Sequence, residues 1–157
     1  MRIGVLADSH DNLVKLKKAV KIFNQRKLDF VFHLGDFVAP FSAALLNQLF
    51  CPWLGVFGNN DGEKEGLLKV SKERIKVAPW YVELDSRKII LVHDINTIEL
   101  RRENAEIILC GHTHRPKVET RDLLFILNPG ECGGWLTAKS TVAIIDLKNL
   151  VSNIIRI

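Results

Sequence analysis

Apolar residues in this chain fall in short runs that stop at polar, glycine-containing segments. Residues 3–7 form one such run, closed by Asp8-Ser9-His10-Asp11-Asn12, and a run of this length reads as a buried strand. Leu13, Leu16, Ala19, Val20 and Phe23 then recur three and four apart, the period of an amphipathic helix. Residues 30–34 predict a second strand, ended by Gly35-Asp36. Pro40 opens a second helix through Leu45, Leu46 and Leu49, because proline suits a first helical turn. Residues 54–57 predict a third strand, ended by Gly58-Asn59-Asn60-Asp61. This β-α-β-α-β order implies neighbouring parallel strands with helices packed outside.

The second half has a different rhythm. Residues 81–84 and 88–92 flank Asp85-Ser86-Arg87 as a hairpin, and the later strand ends at His93-Asp94. A short helix is expected over 97–103. Residues 106–110 predict a strand ending at Gly111-His112-Thr113-His114, and 124–127 run into Asn128-Pro129-Gly130. Residues 141–146 and 151–155, joined around Lys148-Asn149, form a second hairpin. The fold class expected is α/β: two packed, mixed β-sheets flanked by helices, in one domain covering 1–157.

Composition narrows the function classes. The chain has 157 residues, 47% apolar and 25% charged, enough to bury a core. That excludes a disordered tail, a collagen-like fibre and a disulfide miniprotein. No apolar run reaches the ~18 residues of a membrane span. An acid at position 8 comes too early for the apolar core of a signal peptide, so the expected location is cytoplasmic, with no membrane partner. Cys51, Cys110 and Cys132 show no CxxC spacing and read as reduced, mostly buried thiols. The net charge is only +4. Lys15, Lys17, Lys18, Lys21, Arg26 and Lys27 fall mostly on the polar side of the first helix and read as a solvated face. With no basic stripe interleaved with aromatics, specific nucleic-acid binding is not expected. Neither GxGxxG nor GxxxxGK[ST] is present, so other nucleotide-binding folds have no support.

The chemistry is positional. Five predicted strands end in residues that bind metals well: Asp8 and His10, Asp36, Asn59, His93, then His112 and His114. In open α/β sheets, sites lie outside the carboxyl ends of the strands. Side chains at i and i+2 of an extended segment share a side, so Asp8 with His10, and His112 with His114, can each converge. Four of the five histidines of the chain belong to these segments. A DxH or a GD pair alone carries little weight. The ordered set DxH, GD, GNxD, H and GHxH, each after an apolar run, is specific.

This set resembles the calcineurin-like metallophosphoesterase superfamily, in particular the small single-domain phosphodiesterases of bacteria and archaea, near the retromer scaffold subunit. The motifs are Leu6-Ala7-Asp8-Ser9-His10, His33-Leu34-Gly35-Asp36-Phe37, Gly58-Asn59-Asn60-Asp61-Gly62, Gly111-His112-Thr113-His114 and Asn128-Pro129-Gly130-Glu131. The resemblance implies two divalent metal ions. Asp8, His10 and His114 would hold one, Asn59, His93 and His112 the other, and Asp36 would bridge both. Two cations roughly 3.5–4 Å apart need a shared anion, and imidazole and oxygen donors suit Mn, Fe, Co, Ni or Zn better than Ca. The implied reaction is hydrolysis of a small phosphodiester or nucleotide by a hydroxide bridging the metals. The competing reading is a non-catalytic metal-binding scaffold, as in the retromer subunit, where the acid of GD and the Asn of GN are changed; here Asp36 and Asn59 both stand.

Two departures from the family pattern stand out. Larger relatives carry a proton-donating His after the metal-binding Asn; here that position is Asn60. An amide can hydrogen-bond a leaving oxygen but cannot supply a proton, so diesters with good leaving groups, such as aryl esters, are the expected substrates. After His93 the family usually has Gly, and this chain has Asp94, which is expected to point away from the site. Asp61 is expected to orient a ligating histidine, His33 to play a hydrogen-bonded structural role, and Asp11 and Asn12 to cap a helix. Asn128-Pro129-Gly130 reads as a tight turn without chemistry. Trp53, Trp80 and Trp135 read as core or interface residues, Trp135 as a possible contact between copies of the chain.

Overall fold

A computed structural model describes residues 1–157, the side chain of Arg102 excepted. Eleven strands form two mixed sheets. The first sheet begins with β1 (Arg2–Leu6), β2 (Phe30–His33), β3 (Trp53–Val56) and β4 (Ile75–Lys76), all mutually parallel. The second contains β5 (Trp80–Leu84), β6 (Arg87–Leu91), β7 (Ile107–Leu109), β8 (Lys117–Arg121) and β9 (Leu124–Asn128), in the order β5-β6-β7-β9-β8. β6, β7 and β9 are parallel, with β5 and β8 antiparallel at the two edges. β10 (Thr141–Asp146) returns to pair antiparallel with β1, and β11 (Val151–Arg156) pairs with β10.

Side-chain alternation makes three apolar layers. Ile3, Val5 and Ala7 face inward with Phe32, Leu34 and Val56 and meet Ile89, Leu91, Ile107 and Leu109 of the other sheet. Leu6, Val31 and Trp53 point the other way, against the helices α1 (Leu13–Gln25), α2 (Pro40–Leu45) and α3 (Lys64–Ser71). The outer face of the second sheet, with Ile90, Val92, Ile108 and Ile126, is covered by Ile95, Ile98 and Leu100. All three layers are thus filled from strands that alternate, as an α/β sandwich requires.

Local signals explain most elements. Leu16, Ala19, Val20 and Phe23 are the buried stripe of α1, and Asn12 caps it by accepting from the Lys15 amide at 3.2 Å. Asp11 serves the other helix instead, accepting from Ala39 N and Ser42 Oγ at the start of α2. The β5–β6 turn is the two-residue Asp85-Ser86, both at positive φ (52° and 60°), the twist-matched hairpin form.

The sequence reading differs from the structure in several places, among them the second helix, which ends at Leu45 and passes into a 3₁₀ turn over Leu46–Gln48. No regular helix spans 97–103; two single 3₁₀ turns, Ile95–Thr97 and Leu100–Arg102, stand there. The helix α3 and the strands β4 and β8 were not expected. α3 buries only Leu67 and Ser71, too narrow a stripe to show a period. β8 has the polar sequence KVETR with an exposed pattern, because it is an edge strand carrying charge.

Candidate metal centre

The carboxyl ends of β1, β2, β3, β6, β7 and β9 meet at one end of the sandwich. Backbone hydrogen bonds tie the strand ends within each sheet, Asp8 N to Gly35 O at 3.0 Å in the first and Gly111 N to His93 O at 2.9 Å in the second, and Cys132 N to Ala7 O at 2.9 Å joins the two sheets. Convergence of the side chains comes from turns, not from the extended geometry that the i, i+2 spacing suggested. Asp8, His10, Asp36, His112 and His114 all adopt positive φ, between 41° and 67°. Each left-handed residue re-aims its side chain into the junction. Gly35 has φ 96°, and a Cβ there would come within 2.6 Å of His93 Nδ1. A Cβ at Gly58 would collide with the amide and carboxylate of Asp36. Both glycines are therefore demanded by close approach.

Four of the seven predicted ligands form one group. Donor atoms of Asp8, His10, Asp36 and His114 lie within 4.8 Å of one another. The His10 and His114 rings stack at 5.2 Å, and His114 Nε2 lies 3.7 Å from Asp8 Oδ1. The other three form a second group: Asn59 Oδ1 lies 3.0 Å from both His93 Nε2 and His112 Nδ1. Asp36 joins them. Its Oδ2 is 3.4 Å from His10 Nε2 and 3.5 Å from His93 Nε2.

The donor set fits a cation. His93 Nδ1 lies 2.7 Å from the carbonyl of Leu34. A carbonyl only accepts, so Nδ1 carries a proton, and Nε2 is the nitrogen turned toward the Asn59 and Asp36 oxygens. His10 Nε2 is buried with no hydrogen-bond partner. Electron-rich atoms converge with nothing between them to donate, an arrangement a positive ion satisfies. Burial, then the nearby charge of Asp36, pushes the Asp8 carboxyl up to about 8, against the lowering effect of the His112 amide that it accepts. Burial holds His10 below its usual value.

Several predicted roles change. Asp61 orients no histidine. Its Oδ2 accepts from Asp36 N (3.0 Å) and Gly58 N (2.7 Å), and its Oδ1 from Val38 N (2.8 Å), so it clamps two site turns to each other. Asn60 does not offer its amide freely to a leaving group; its N and Nδ2 each donate to Asp36 at 2.8 Å. Asp94 does not point away. Its Oδ2 is 3.8 Å from His112 Nε2, and it lines the cleft beside Asn59 and His93. Its Oδ1 accepts from the Asn96 amide, which closes the turn after His93. His33 is structural as expected: Gly35 N donates to its Nδ1, so its Nε2 donates to Ser9 Oγ at 3.0 Å, and its ring stacks on Phe37 at 3.7 Å.

Sequence reasoning missed two supporting residues. Glu131 is fully buried and lies 3.4 Å from His114 Nδ1. Burial opposes its charge, but the amides of Leu136 and Thr137 and the Thr137 hydroxyl hold its carboxyl below the usual range. Asn128 donates to Gly111 O at 2.6 Å and accepts from Gly130 N at 2.8 Å, locking the GHTH loop to the segment that carries Glu131. The signal was available: an NPGE run closes the strand next to the one ending in GHTH. Trp135, 65% exposed, stands on the rim and donates Nε1–H to His10 O at 3.0 Å.

The family model of the calcineurin-like phosphoesterase superfamily domain matches residues 1–150. The chain belongs to this superfamily. It is a metal-dependent phosphoesterase in family, with divalent ions implied at the site just described. A phosphodiesterase of Methanocaldococcus jannaschii is 34% identical over 154 residues, 93% of either chain. A solved archaeal phosphodiesterase superposes with TM-score 0.91 at 32% identity, over 100% of both chains. The Vps29 protein of Entamoeba histolytica shares the fold at TM-score 0.74 and 16% identity, covering 100% of this chain and 98% of that one. Among the described residues, no helix is long and apolar enough to cross a membrane.

Proposed function

We propose that residues 1–157 act as one domain that hydrolyses small phosphodiesters at a two-metal centre in the cytoplasm. Asp8, His10 and His114 hold one divalent ion, Asn59, His93 and His112 the other, and Asp36 is shared. The observation that carries this reading is the position of Asp36 Oδ2, 3.4 and 3.5 Å from ring nitrogens of the two groups. The nitrogen and oxygen donors favour Mn, Fe, Co, Ni or Zn over Ca.

Ions bound there supply Lewis acidity to the phosphoryl group and make water nucleophilic at neutral pH. The residues of the chain do the rest. Leu34 fixes the His93 tautomer and Glu131 faces the far nitrogen of His114, so that both rings present lone pairs to the centre. Asn60 steadies the shared carboxylate with two hydrogen bonds. Because Asn60 has no proton to give at a useful pKa, turnover favours esters whose leaving group departs as a stable anion, such as aryl diesters.

The test is hydrolysis of bis(4-nitrophenyl) phosphate by protein stripped of metal and refilled with Mn, Fe, Co, Ni, Zn or Mg in turn. Metal-dependent turnover is expected, reduced at least about a hundredfold in Asp36→Asn. Metal uptake without turnover of any diester would sink the diesterase reading in favour of a scaffold. Failure to bind metal would sink the ligand assignment.

A further inference from the structure

A cleft of about 430 Å³ opens from the metal centre between the end of β3 and the segment before β5. At its inner end lie Asn59, His93 and His112. Away from them the lining turns apolar, with Phe57 on one side and Val77, Ala78 and Pro79 on the other. A diester whose phosphorus sits at the inner end must send one ester arm along this wall or out to solvent.

The cleft holds two charged side chains, Lys64 and Asp94. Asp94 is engaged: one oxygen accepts from the Asn96 backbone and side chain, and the other faces His112 Nε2 at 3.8 Å. Lys64, the first residue of α3, is not. Its Nζ lies 5.5 Å from the centroid of the Phe57 ring, and among the described residues no carboxylate lies within ion-pair distance of it. An ammonium held over an aromatic face at the mouth of an apolar cleft, without a counter-ion, has spare capacity for an anion.

We propose that this cleft is the subsite for one ester arm, and that Lys64 selects an aromatic or apolar arm that carries its own negative charge, such as a carboxylate or a further phosphate. The assignment rests on the diesterase reading above, and it adds a substrate class: diesters with an anionic arm.

The test compares diphenyl phosphate with bis(4-carboxyphenyl) phosphate on the metal-loaded protein. Both arms of each ester are identical, so the cleft receives the same group in either orientation. Wild type is expected to show a KM about tenfold lower for the carboxylated ester, the scale of one charge-assisted hydrogen bond in a half-open cleft. That preference shrinks as salt rises. Lys64→Ala removes the preference with kcat retained, and Lys64→Arg restores it. Equal losses on both esters, or an unchanged preference, overturn the proposal. A second measurement needs no turnover: in metal-free protein, bis(4-carboxyphenyl) phosphate shifts the amide resonances of Phe57, Val77 and Ala78, and Lys64→Ala abolishes the shifts. Lys64-dependent shifts without hydrolysis of any ester would leave the cleft assignment standing and remove the diesterase reading. Hydrolysis without Lys64 dependence would do the reverse.

Discussion

Asp61 offers the sharpest test of how the site is held together. It is 2% exposed and accepts three backbone N–H groups, from Asp36, Val38 and Gly58. Asp61→Ala strands all three donors, and each orphaned buried amide costs about 1–3 kcal/mol. Some of that is offset, because burial already disfavours the charged carboxylate and raises its pKa. The net loss expected is about 3 kcal/mol. Asp61→Asn is milder. Its amide oxygen can replace Oδ2 and keep Asp36 N and Gly58 N, leaving Val38 N against an NH₂ group, for about 1 kcal/mol. Urea unfolding of the metal-free proteins reads these losses. With a slope of about 1–3 kcal/mol/M, the alanine variant should shift the midpoint by about 1–3 M. The same clamp aligns Asp36 with Asn59, so calorimetric metal affinity should fall in the same order, wild type above Asn above Ala. Equal midpoints for the two variants, or an alanine variant as stable as wild type, would refute the reasoning.

Three other outcomes follow from the geometry. Glu131→Gln removes the charge facing His114 Nδ1 and should weaken metal binding about 10–100-fold by calorimetry; an unchanged affinity would reduce Glu131 to an anchor for residues 136 and 137. Asp8, pushed up to about 8, keeps a proton in the folded metal-free protein that the unfolded chain releases near pH 4. Stability of the metal-free protein should therefore fall as pH rises from about 4 to about 8, and metal uptake near pH 7 should release a proton, seen as a buffer-dependent heat that vanishes near pH 10. Gly58→Ala drives a methyl into Asp36; circular dichroism should report a lower melting temperature, and metal binding should be lost.

The strand-and-loop order of the first half was legible because each buried strand is a short apolar run with a glycine-bearing stop. The β5–β6 and β10–β11 hairpins were legible from their turn residues, and the β8–β9 hairpin was not. Elements that bury little were not: α3 has one buried apolar residue, and β8 has none. The identity of the metal-binding candidates could be read from residue type at strand ends, and the structure gathers all seven into two adjoining groups. Their orientation could not, since it depends on left-handed backbone at Asp8, His10, Asp36, His112 and His114. The partners of Asp61 and Glu131 were equally hidden. A carboxylate that serves backbone amides leaves no trace in spacing, and the amide of Asp36 comes near Asp61 only after β2 and β3 pair.

The five left-handed residues among the metal-binding candidates also bear on how this chain will respond to engineering. Each holds a backbone conformation that L side chains adopt at a penalty of about 1–2 kcal/mol, and two of them, Asp8 and Asp36, are acids with almost no exposure. Glycine at positions 8, 10, 36, 112 or 114 relieves the backbone, and at 8 or 36 it also removes a buried carboxyl group. A library screened for heat resistance alone will drift toward such replacements and return tougher proteins with an emptied centre. Selection for thermostability must therefore be coupled to metal retention, or confined to surfaces such as the outer face of α1.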